Sequence, residues 1–380
     1  MRPVNNSTIV ALSALIATLA TGCCPVHFDQ PKADQLANSY RVTREVPGYA
    51  DFFVVLQNGE WMRGSNSTSG TEGVTREKPT TICGITRSST RRAISQFGPD
   101  GLFYSINGVE RHFDGAYEQY VSAVWPDGSF ATWFGNGGNY FPSVNQAGTH
   151  VTVEGNTELW RENTQRNEMT TPSGRIGVYT NYYDARPMQH WLLDPHTGKT
   201  QALPDGNYRI EIASDTVAIA RKSDGRRIII WLDGSNKVEP SDLPDSIRLY
   251  ATSPTDPLLF GGEYVINTHS GTPITYRVGG SINHLSPTLT GGTQNAGWVS
   301  GFTSWGQPFG AVYQQGNGTL QGLQCGFWQT GGFRSAQSLL PKGSTEQVEE
   351  ILSADRDHII VWTVSSLTRD EQCVILTPVH

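Results

Sequence analysis

The stretch YRIEIASDTVAIARKSDGRRIIIWLDGSNKV, residues 208–238, decides the fold of this chain. It contains three apolar runs of strand length: Tyr208–Ala213, Thr216–Arg221 and Arg227–Leu232. Asp224-Gly225 and Asp233-Gly234 follow the second and third runs, and Asp-Gly between apolar runs is typical of a β-hairpin turn. The segment 207–239 therefore predicts four antiparallel strands in succession, the last of them near Val238.

The same pattern recurs before and after this stretch. Trp191 and Trp231 occupy matching places, 40 positions apart (231 − 191). His358–Thr363 and Gln372–Leu376 repeat the pattern near the C-terminus. A four-stranded unit that recurs about every 40–50 residues, with a tryptophan near the end of one strand, is typical of a β-propeller.

The segment Trp191-Leu-Leu-Asp-Pro-His-Thr-Gly198 resembles the strand–turn element of bacterial periplasmic propellers of the TolB and BamB type. The resemblance is close in this unit, and in the rest of the chain it is limited to the spacing of short strands and turns. The repeat predicts an all-β fold, a β-propeller of about seven four-stranded antiparallel blades in residues 41–380. Eight blades, a pair of β-sandwiches and an irregular β-solenoid are the alternatives.

The N-terminal residues predict export from the cytoplasm. Arg2 precedes the apolar run Ile9–Ala20, which is twelve residues long. A secretory signal peptide has an apolar region of about 7–15 residues, whereas a helix that spans a bilayer needs about 20. We therefore expect residues 1–22 to be a cleaved signal peptide.

Ala20-Thr21-Gly22-Cys23 resembles a bacterial lipobox, with Ala20 at the position where that motif usually has leucine. The resemblance implies cleavage before Cys23 and lipidation of its thiol, so residues 23–40 are expected to be a tether that links the domain to a membrane. Cys24 is not the aspartate that would retain a lipoprotein at the inner membrane, which favours the outer membrane of the cell envelope. An ordinary signal peptide, cleaved at the same bond, is the alternative.

Composition argues against one class of partner. The chain has 28 basic and 35 acidic residues, a formal net charge of −7. Binding to nucleic acid requires a basic face, so no nucleic-acid partner is expected.

Five cysteines raise the question of disulfides in an oxidising compartment. With Cys23 and Cys24 set aside, Cys83, Cys325 and Cys373 remain. A disulfide between Cys325 and Cys373 is favoured because both lie in the last part of the chain. A bond between Cys83 and Cys373, which would join the two ends of a closed ring, is the alternative.

No motif for a common catalytic mechanism occurs in the sequence: HExxH, GxSxG, SxxK, the phosphate-binding P-loop and CxxC are all absent. His190 and His196 are the closest pair of histidines, but a turn separates them, and His190 is interpreted as a packed or surface imidazole. The Asp-Gly pairs are interpreted as turns because they lack the further oxygen ligands of a calcium loop. We expect no metal site and no cofactor, and an enzymatic activity is not favoured.

The glycine-rich run 291–322 contains five large aromatic residues: Trp298, Phe302, Trp305, Phe309 and Tyr313. They are interpreted as rings packed between blades, with a sugar-stacking platform as the alternative. A propeller without catalytic motifs is most often a binding platform. The hypothesis is a lipid-anchored envelope scaffold that binds another protein, and the alternative is a secreted propeller that binds or acts on carbohydrate.

Overall fold

The computed structural model describes the following residues: 36–48, 52–65, 81–82, 103–106, 109–112, 119–136, 139–146, 149–152, 164–180, 188–194, 197–267, 270–288, 296–316, 319–330 and 332–379. The chain divides into two units, Met1–Asp34 and Gln35–His380, and every described residue belongs to the second unit. No helix in these described ranges is long and apolar enough to cross a membrane. The predicted signal peptide, Cys23 and Cys83 lie outside the described residues.

The described residues form 29 strands and one short 3-10 helix, Ala336–Leu339, so the predicted all-β fold class is confirmed. The strands assemble into seven sheets, six with four strands and one with five. We number the sheets I to VII in the order in which the chain builds them.

Sheets I to III come from the N-terminal half of the chain. The first strand, β1 (Tyr40–Pro47), is set apart because it belongs to sheet VII. Sheet I has the order β2-β3-β5-β6: β2 (Phe52–Val55), β3 (Trp61–Ser65), β5 (Phe103–Ile106) and β6 (Val109–His112). Sheet II has the order β10-β9-β8-β7-β4: β4 (Thr81–Ile82), β7 (Gln119–Val124), β8 (Phe130–Asn136), β9 (Asn139–Gln146) and β10 (Thr149–Thr152). Sheet III has the order β11-β12-β13-β14: β11 (Thr164–Thr170), β12 (Ile176–Thr180), β13 (Gln189–Leu193) and β14 (Thr200–Leu203).

Sheets IV to VII follow. Sheet IV runs β15 (Tyr208–Ala213), β16 (Val217–Lys222), β17 (Arg227–Trp231) and β18 (Val238–Pro240). Sheet V runs β19 (Ile247–Thr252), β20 (Leu259–Asn267), β21 (Ser270–Arg277) and β22 (Ile282–His284). Sheet VI runs β23 (Ala296–Phe302), β24 (Pro308–Gly316), β25 (Thr319–Gln329) and β26 (Gly332–Ser335). Sheet VII has the order β1-β29-β28-β27: β27 (Glu346–Ala354), β28 (Ile359–Ser365), β29 (Glu371–Pro378) and β1.

Sheet II departs from the four-stranded pattern through β4. This strand comes from the long connection between β3 and β5 of sheet I, and it pairs with β7 in parallel, Thr81 opposite Ala123. All other strand pairs among the described residues are antiparallel. The connection between two strands of sheet I thus supplies an additional edge strand to sheet II.

Sheet IV confirms the meander predicted for residues 207–239. In β15 burial alternates, because Tyr208 and Ile210 are buried and Arg209 and Glu211 are not. The central strands β16 and β17 are almost continuously buried, as expected where both faces of a sheet are covered. Ala218 and Ile230 pack with sheet III on one face, and Val217 and Ile229 pack with sheet V on the other.

A three-residue turn recurs between strands. In one example, Trp125 N–H donates to Ser129 O at 2.8 Å and Gly128 N–H donates to Trp125 O at 3.0 Å. The same two bonds close the following turns: 56–60, 171–175, 222–226 and 303–307. Asn58-Gly59 between two apolar runs predicts a β-hairpin, and β2 and β3 form it, but the turn is not of type I′, which has positive φ at both central residues. Of these two residues only Gly59 has a positive φ, +80°. The turn has three residues, one more than a type I′ turn, and its single left-handed residue is the glycine.

Hydrogen bonds join each sheet to the next and the last sheet to the first. Sheets I and II are joined by Gln57 N to Pro126 O (3.0 Å), sheets II and III by Trp125 Nε1 to Ser173 O (3.2 Å), and sheets III and IV by Ser173 Oγ to Asp215 Oδ1 (2.5 Å). Sheets IV and V are joined by Arg227 Nη2 to Ile247 O (2.8 Å), and sheets V and VI by Trp328 Nε1 to Ser286 O (2.9 Å). Sheets VI and VII are joined by Ser304 N to Ala354 O (3.0 Å), and sheets VII and I by Ser353 Oγ to Phe53 O (3.2 Å). The seven sheets therefore contact one another in a cyclic order.

The N-terminal strand completes the last sheet. β1 pairs with β29 from Tyr40 opposite Pro378 to Pro47 opposite Gln372. Leu36 is buried in the cluster shared by sheets VI and VII, and Arg334 Nη1 donates to Ala37 O at 2.9 Å. The final residues of the predicted tether, from Leu36 onward, are therefore packed against the sheets.

Candidate functional site

A β-bulge recurs at the first strand of six sheets, from II to VII. The bulged positions are Ser122, 167–169, Glu211, Tyr250, Ser300 and Glu349. A bulge adds one or more residues to one strand and redirects side chains, and bulges are frequent next to functional sites. The first strands, which carry the repeated bulge, are therefore a candidate location for a functional site.

The first strands of sheets III to VI lie side by side. β11 contacts β15, β15 contacts β19, and β19 contacts β23. In every sheet except II, the first strand forms one edge of the sheet. The bulged residues of these four strands, among them Glu211, Tyr250 and Ser300, thus lie along one rim.

Glu211 takes part in the ion pairs and hydrogen bonds that join sheets IV and V. Its Oε1 accepts from Arg221 Nε at 2.6 Å and its Oε2 accepts from Arg227 Nε at 2.7 Å. Arg227 also donates to Pro244 O at 2.6 Å and to Ile247 O at 2.8 Å, and its side chain is only 5% exposed. Because these groups satisfy one another, the network holds two sheets together and is not a candidate ligand site.

Tyr250 and Glu263 form the most distinctive pair on the rim. The Tyr250 hydroxyl donates to Glu263 Oε1 at 2.5 Å, and the Glu263 side chain is 12% exposed. Burial raises the pKa of Tyr250, and the Glu263 carboxylate raises that pKa further. The phenol is therefore kept protonated and available as a donor. Arg248 Nη1 lies 3.9 Å from Glu263 Oε1.

Tyr313 of sheet VI interacts electrostatically with this pair. Burial raises the pKa of Tyr313, and the Glu263 carboxylate raises that pKa further. The Trp298 ring lies 5.6 Å from the Tyr313 ring and is tilted by 51°. We call Arg248, Tyr250, Glu263 and Tyr313 the aromatic–glutamate cluster; Trp298 packs against the apolar cluster shared by sheets VI and VII.

A glycine makes room for the carboxylate in this cluster. A Cβ at Gly271 would lie 2.4 Å from Glu263 Oε2. This contact is shorter than real Cβ atoms show, so any larger residue at 271 would displace Glu263. The position of the carboxylate therefore depends on Gly271.

Glu349 is the bulged residue of sheet VII. Its side chain is half-buried, and burial raises the pKa of its carboxyl group, with the Arg369 charge acting in the opposite direction. The backbone oxygen of Glu349 accepts from Cys325 Sγ at 2.9 Å.

The structure does not bring Cys325 and Cys373 together. Cys325 packs in the cluster between sheets VI and VII, with Val374 of β29. Cys373 packs on the opposite face of β29, against sheet I, and its Sγ lies 3.8 Å from Gly48 O. Adjacent residues of a strand point to opposite faces, so a bond between these cysteines would require a strand to turn over. The favoured disulfide has no support from the structure.

The other predicted features can be placed within the described residues. Phe302, Trp305, Phe309 and Tyr313 are buried, as the interpretation of packed rings predicts, while Trp298 is half-buried. His190 is buried and stacks on Tyr208 at 3.9 Å, as expected for a packed imidazole; His196 lies outside the described residues. No group of three or more His, Cys, Asp or Glu that could hold a metal ion occurs in the described part of the chain.

Comparison with known proteins gives matches among solved structures only. No protein-family model and no curated protein matches the chain. TolB from Acinetobacter baumannii matches at 14% identity over 66% of this chain and 67% of TolB, with a TM-score of 0.35. An oligogalacturonate lyase in complex with manganese matches at 9% identity over 89% of this chain and 98% of the lyase, with a TM-score of 0.46. The β-propeller domain of the Trilobed protease from Pyrococcus furiosus matches at 12% identity over 90% of this chain and 94% of the domain, with a TM-score of 0.44. All three scores are below 0.5, so the architecture assigned to this chain rests on its own sheets.

Proposed function

We propose that this chain is a lipid-anchored protein of the cell envelope, whose seven sheets are the blades of a closed β-propeller that binds another protein. The blade assignment is supported by the cyclic order of contacts between sheets and by β1, which supplies the outermost strand of the last sheet. A strand that joins the two ends of the chain is one way in which a ring of blades is closed.

The lipid anchor is proposed on the lipobox-like residues Ala20–Cys23. Attachment by one acyl chain is only marginal, and stable attachment needs two or more. A diacylglyceryl group on Cys23 would meet that need. The outer membrane is proposed because Cys24 takes the place of the aspartate that would retain the protein at the inner membrane.

The observation that carries the protein-binding proposal is a set of exposed apolar side chains near one end of the sheets. Among the described residues, three large apolar side chains are exposed near the turns between second and third strands: Tyr264 (38%), Ile266 (62%) and Leu367 (76%). The other two exposed large apolar residues, Val238 (41%) and Val379 (49%), lie at the opposite ends of sheets IV and VII and are less exposed than Ile266 and Leu367. Exposed apolar side chains on a soluble surface mark sites of interaction. We therefore place the partner on the end that carries Ile266.

The experiment is affinity capture from detergent-solubilised membranes with the full chain. We expect one protein to be captured reproducibly by the wild type and to be lost with Ile266→Asp. Val379→Asp is the matched control, because Val379 is also exposed, at 49%, but lies at the end of β29 where the chain finishes. Capture that is absent, or that Ile266→Asp leaves unchanged, would contradict the proposal.

A further inference from the structure

We propose that His190 is a pH-sensitive switch: its neutral imidazole holds the connector between sheets III and IV, residues 204–207, in place, and protonation of the ring releases this connector. His190 lies in β13 and is buried, and its Nε2 bonds to the backbone oxygen of Gly206 at 2.9 Å. The proposal concerns a movement between two sheets, and it is independent of the lipid anchor and of the protein partner proposed above.

The hydrogen bonding of the ring defines where a second proton must bind. A carbonyl oxygen only accepts, so Nε2 carries the hydrogen that His190 donates to Gly206 O. Nδ1 is then the unprotonated nitrogen, and it is buried without a hydrogen-bond partner among the described residues. A proton added at Nδ1 creates a buried charge and a buried donor that has no acceptor. Both are unfavourable in the closed structure.

The groups packed around His190 do not neutralise this charge. The ring of Tyr208 in β15 stacks on the imidazole at 3.9 Å, and the ring of Tyr179 in β12 lies 5.8 Å away. Tyr208 stays uncharged because burial raises its pKa. Burial lowers the pKa of His190, and this effect exceeds the opposite effects of the hydrogen bond to Gly206 and of the Asp205 charge. Lys222 and Asp224 line the same cleft as Asp205.

The connector borders solvent. Asp205 and Asn207 are exposed, and the connector lines a cleft of about 410 Å³ together with the turn between β16 and β17. Besides His190, the connector is held by Gly206 N to Met188 O (3.0 Å), Met188 N to Asn207 Oδ1 (3.3 Å) and Tyr208 Oη to Pro204 O (2.5 Å). Release of the connector therefore gives water a path to the His190 ring.

The direction of the switch follows from the two states of the ring. In the open state the imidazole is in water, where the pKa of histidine is about 6.5, and in the closed state the pKa of His190 is lower. The open state therefore binds the proton more tightly, and its population rises as the pH falls through about 6.5. Between pH 7.5 and pH 5.5 the equilibrium constant for opening should rise about tenfold, because the open-state ring changes from mostly neutral to mostly charged.

The test is hydrogen–deuterium exchange of the full chain in detergent, at pH 7.5 and at pH 5.5. The amides of Gly206 and Tyr208 report on opening, since both donate hydrogen bonds in the closed connector. The reference variant is His190→Gln, in which the side chain can still donate to Gly206 O but does not titrate. Comparison at the same pH cancels the intrinsic exchange rate. We expect the ratio of wild-type to variant rates at these amides to rise about tenfold from pH 7.5 to pH 5.5.

Two controls separate the switch from other effects of acid. His358→Gln is the matched control, because His358 also titrates but lies in sheet VII beside Asp355, and this variant should keep the full pH response at Gly206 and Tyr208. The amides of β20 in sheet V report global unfolding, and their ratio should not change. If His190→Gln does not fold, the wild-type rates divided by those of β20 at each pH give the same information. The proposal is overturned if the ratio at Gly206 and Tyr208 is independent of pH, or if β20 changes by the same factor.

Discussion

Ser353, near the end of the first strand of sheet VII, donates a 3.2 Å hydrogen bond to the backbone oxygen of Phe53 in sheet I, 300 residues earlier in the chain. Both residues are buried. Phe53 belongs to an apolar cluster with Leu352 and Ile360, and Ser353 follows Leu352 in the chain. This contact joins the last sheet to the first, so the stability of the two ends of the domain should be coupled.

Leu36 gives the first test of that coupling. Leu36→Ala removes a side chain that is 7% exposed and packs between sheets VI and VII. We expect the free energy of unfolding to fall by about 2–4 kcal/mol, since a buried leucine loses both its transfer energy and its packing. Urea denaturation measures this change. Leu367→Ala, at a side chain that is 76% exposed, is the control and should leave the transition midpoint in place.

Arg227 tests the joint between sheets IV and V. Arg227→Met removes the donor of Glu211 Oε2 and of two backbone oxygens, while Glu211 Oε1 keeps its bond from Arg221. Hydrogen bonds to charged groups contribute about 1.5–3 kcal/mol, so the thermal midpoint should fall clearly. Arg226→Met is the matched control: its pair with Asp224 is on the surface, with Arg226 79% exposed, and the midpoint should not move. Equal effects of the two substitutions would show that the buried network does not hold the sheets together.

Glu263 and Gly271 can be tested as a pair. Gly271→Ala places a methyl group where the Glu263 carboxylate lies, and overpacking of this kind costs about 1–3 kcal/mol. Glu263→Ala removes the obstruction, so the double variant should be more stable than the sum of the single effects predicts. Chemical denaturation of the four proteins gives the interaction energy. Strict additivity would mean that the two residues do not contact each other.

The pH dependence of stability should reveal His190. Burial lowers the pKa of His190 below its ordinary value, while the hydrogen bond to Gly206 O and the Asp205 charge act in the opposite direction. In the unfolded chain histidine titrates near about pH 6.5, so below that pH the unfolded state takes up a proton that the folded state resists. His190 therefore contributes a loss of stability as the pH falls through this region.

His190→Gln isolates this contribution, because glutamine can still donate to Gly206 O but does not titrate. We expect the wild type to lose more stability than the variant between pH 7.5 and pH 5.5, measured as the difference of thermal midpoints at each pH. His358 does not confound the comparison, because it is present in both proteins. Parallel curves for the two proteins would show that His190 takes up its proton without cost.

Structural features that depend on residues close together in the chain could be predicted from the sequence. The meander of sheet IV follows from short apolar runs separated by Asp-Gly pairs, and the structure has it where it was predicted. By analogy with the 207–239 unit we predict a strand at Glu349–Ala354, although Val348, Ile351 and Leu352 also have helical spacing, and this segment is part of β27. Thr157–Arg161, which the sequence pattern also predicts as a strand, lies outside the described residues.

Features that depend on distant pairing could not be predicted. β1 pairs with β29, which lies more than 300 residues away in the chain, and no local sequence pattern predicts this pairing. Cys373 and Val374 are both buried, so alternation of polar and apolar residues could not show which of them faces Cys325. Arg248 and Glu263 meet only through the register between β19 and β20. The recurrent Pro-x-Gly of the turns at Trp125–Ser129 and Thr171–Arg175 is the one overlooked signal that the sequence alone could have supplied.

The most direct test of the proposed envelope role is lipid labelling of the full-length precursor in bacterial cells grown with radiolabelled palmitate. The account predicts that the wild type carries label and sediments with membranes, that Cys24→Ala does the same, and that Cys23→Ala carries no label and leaves the membrane fraction. A wild type without label, or a Cys23→Ala variant that is still labelled, would contradict it.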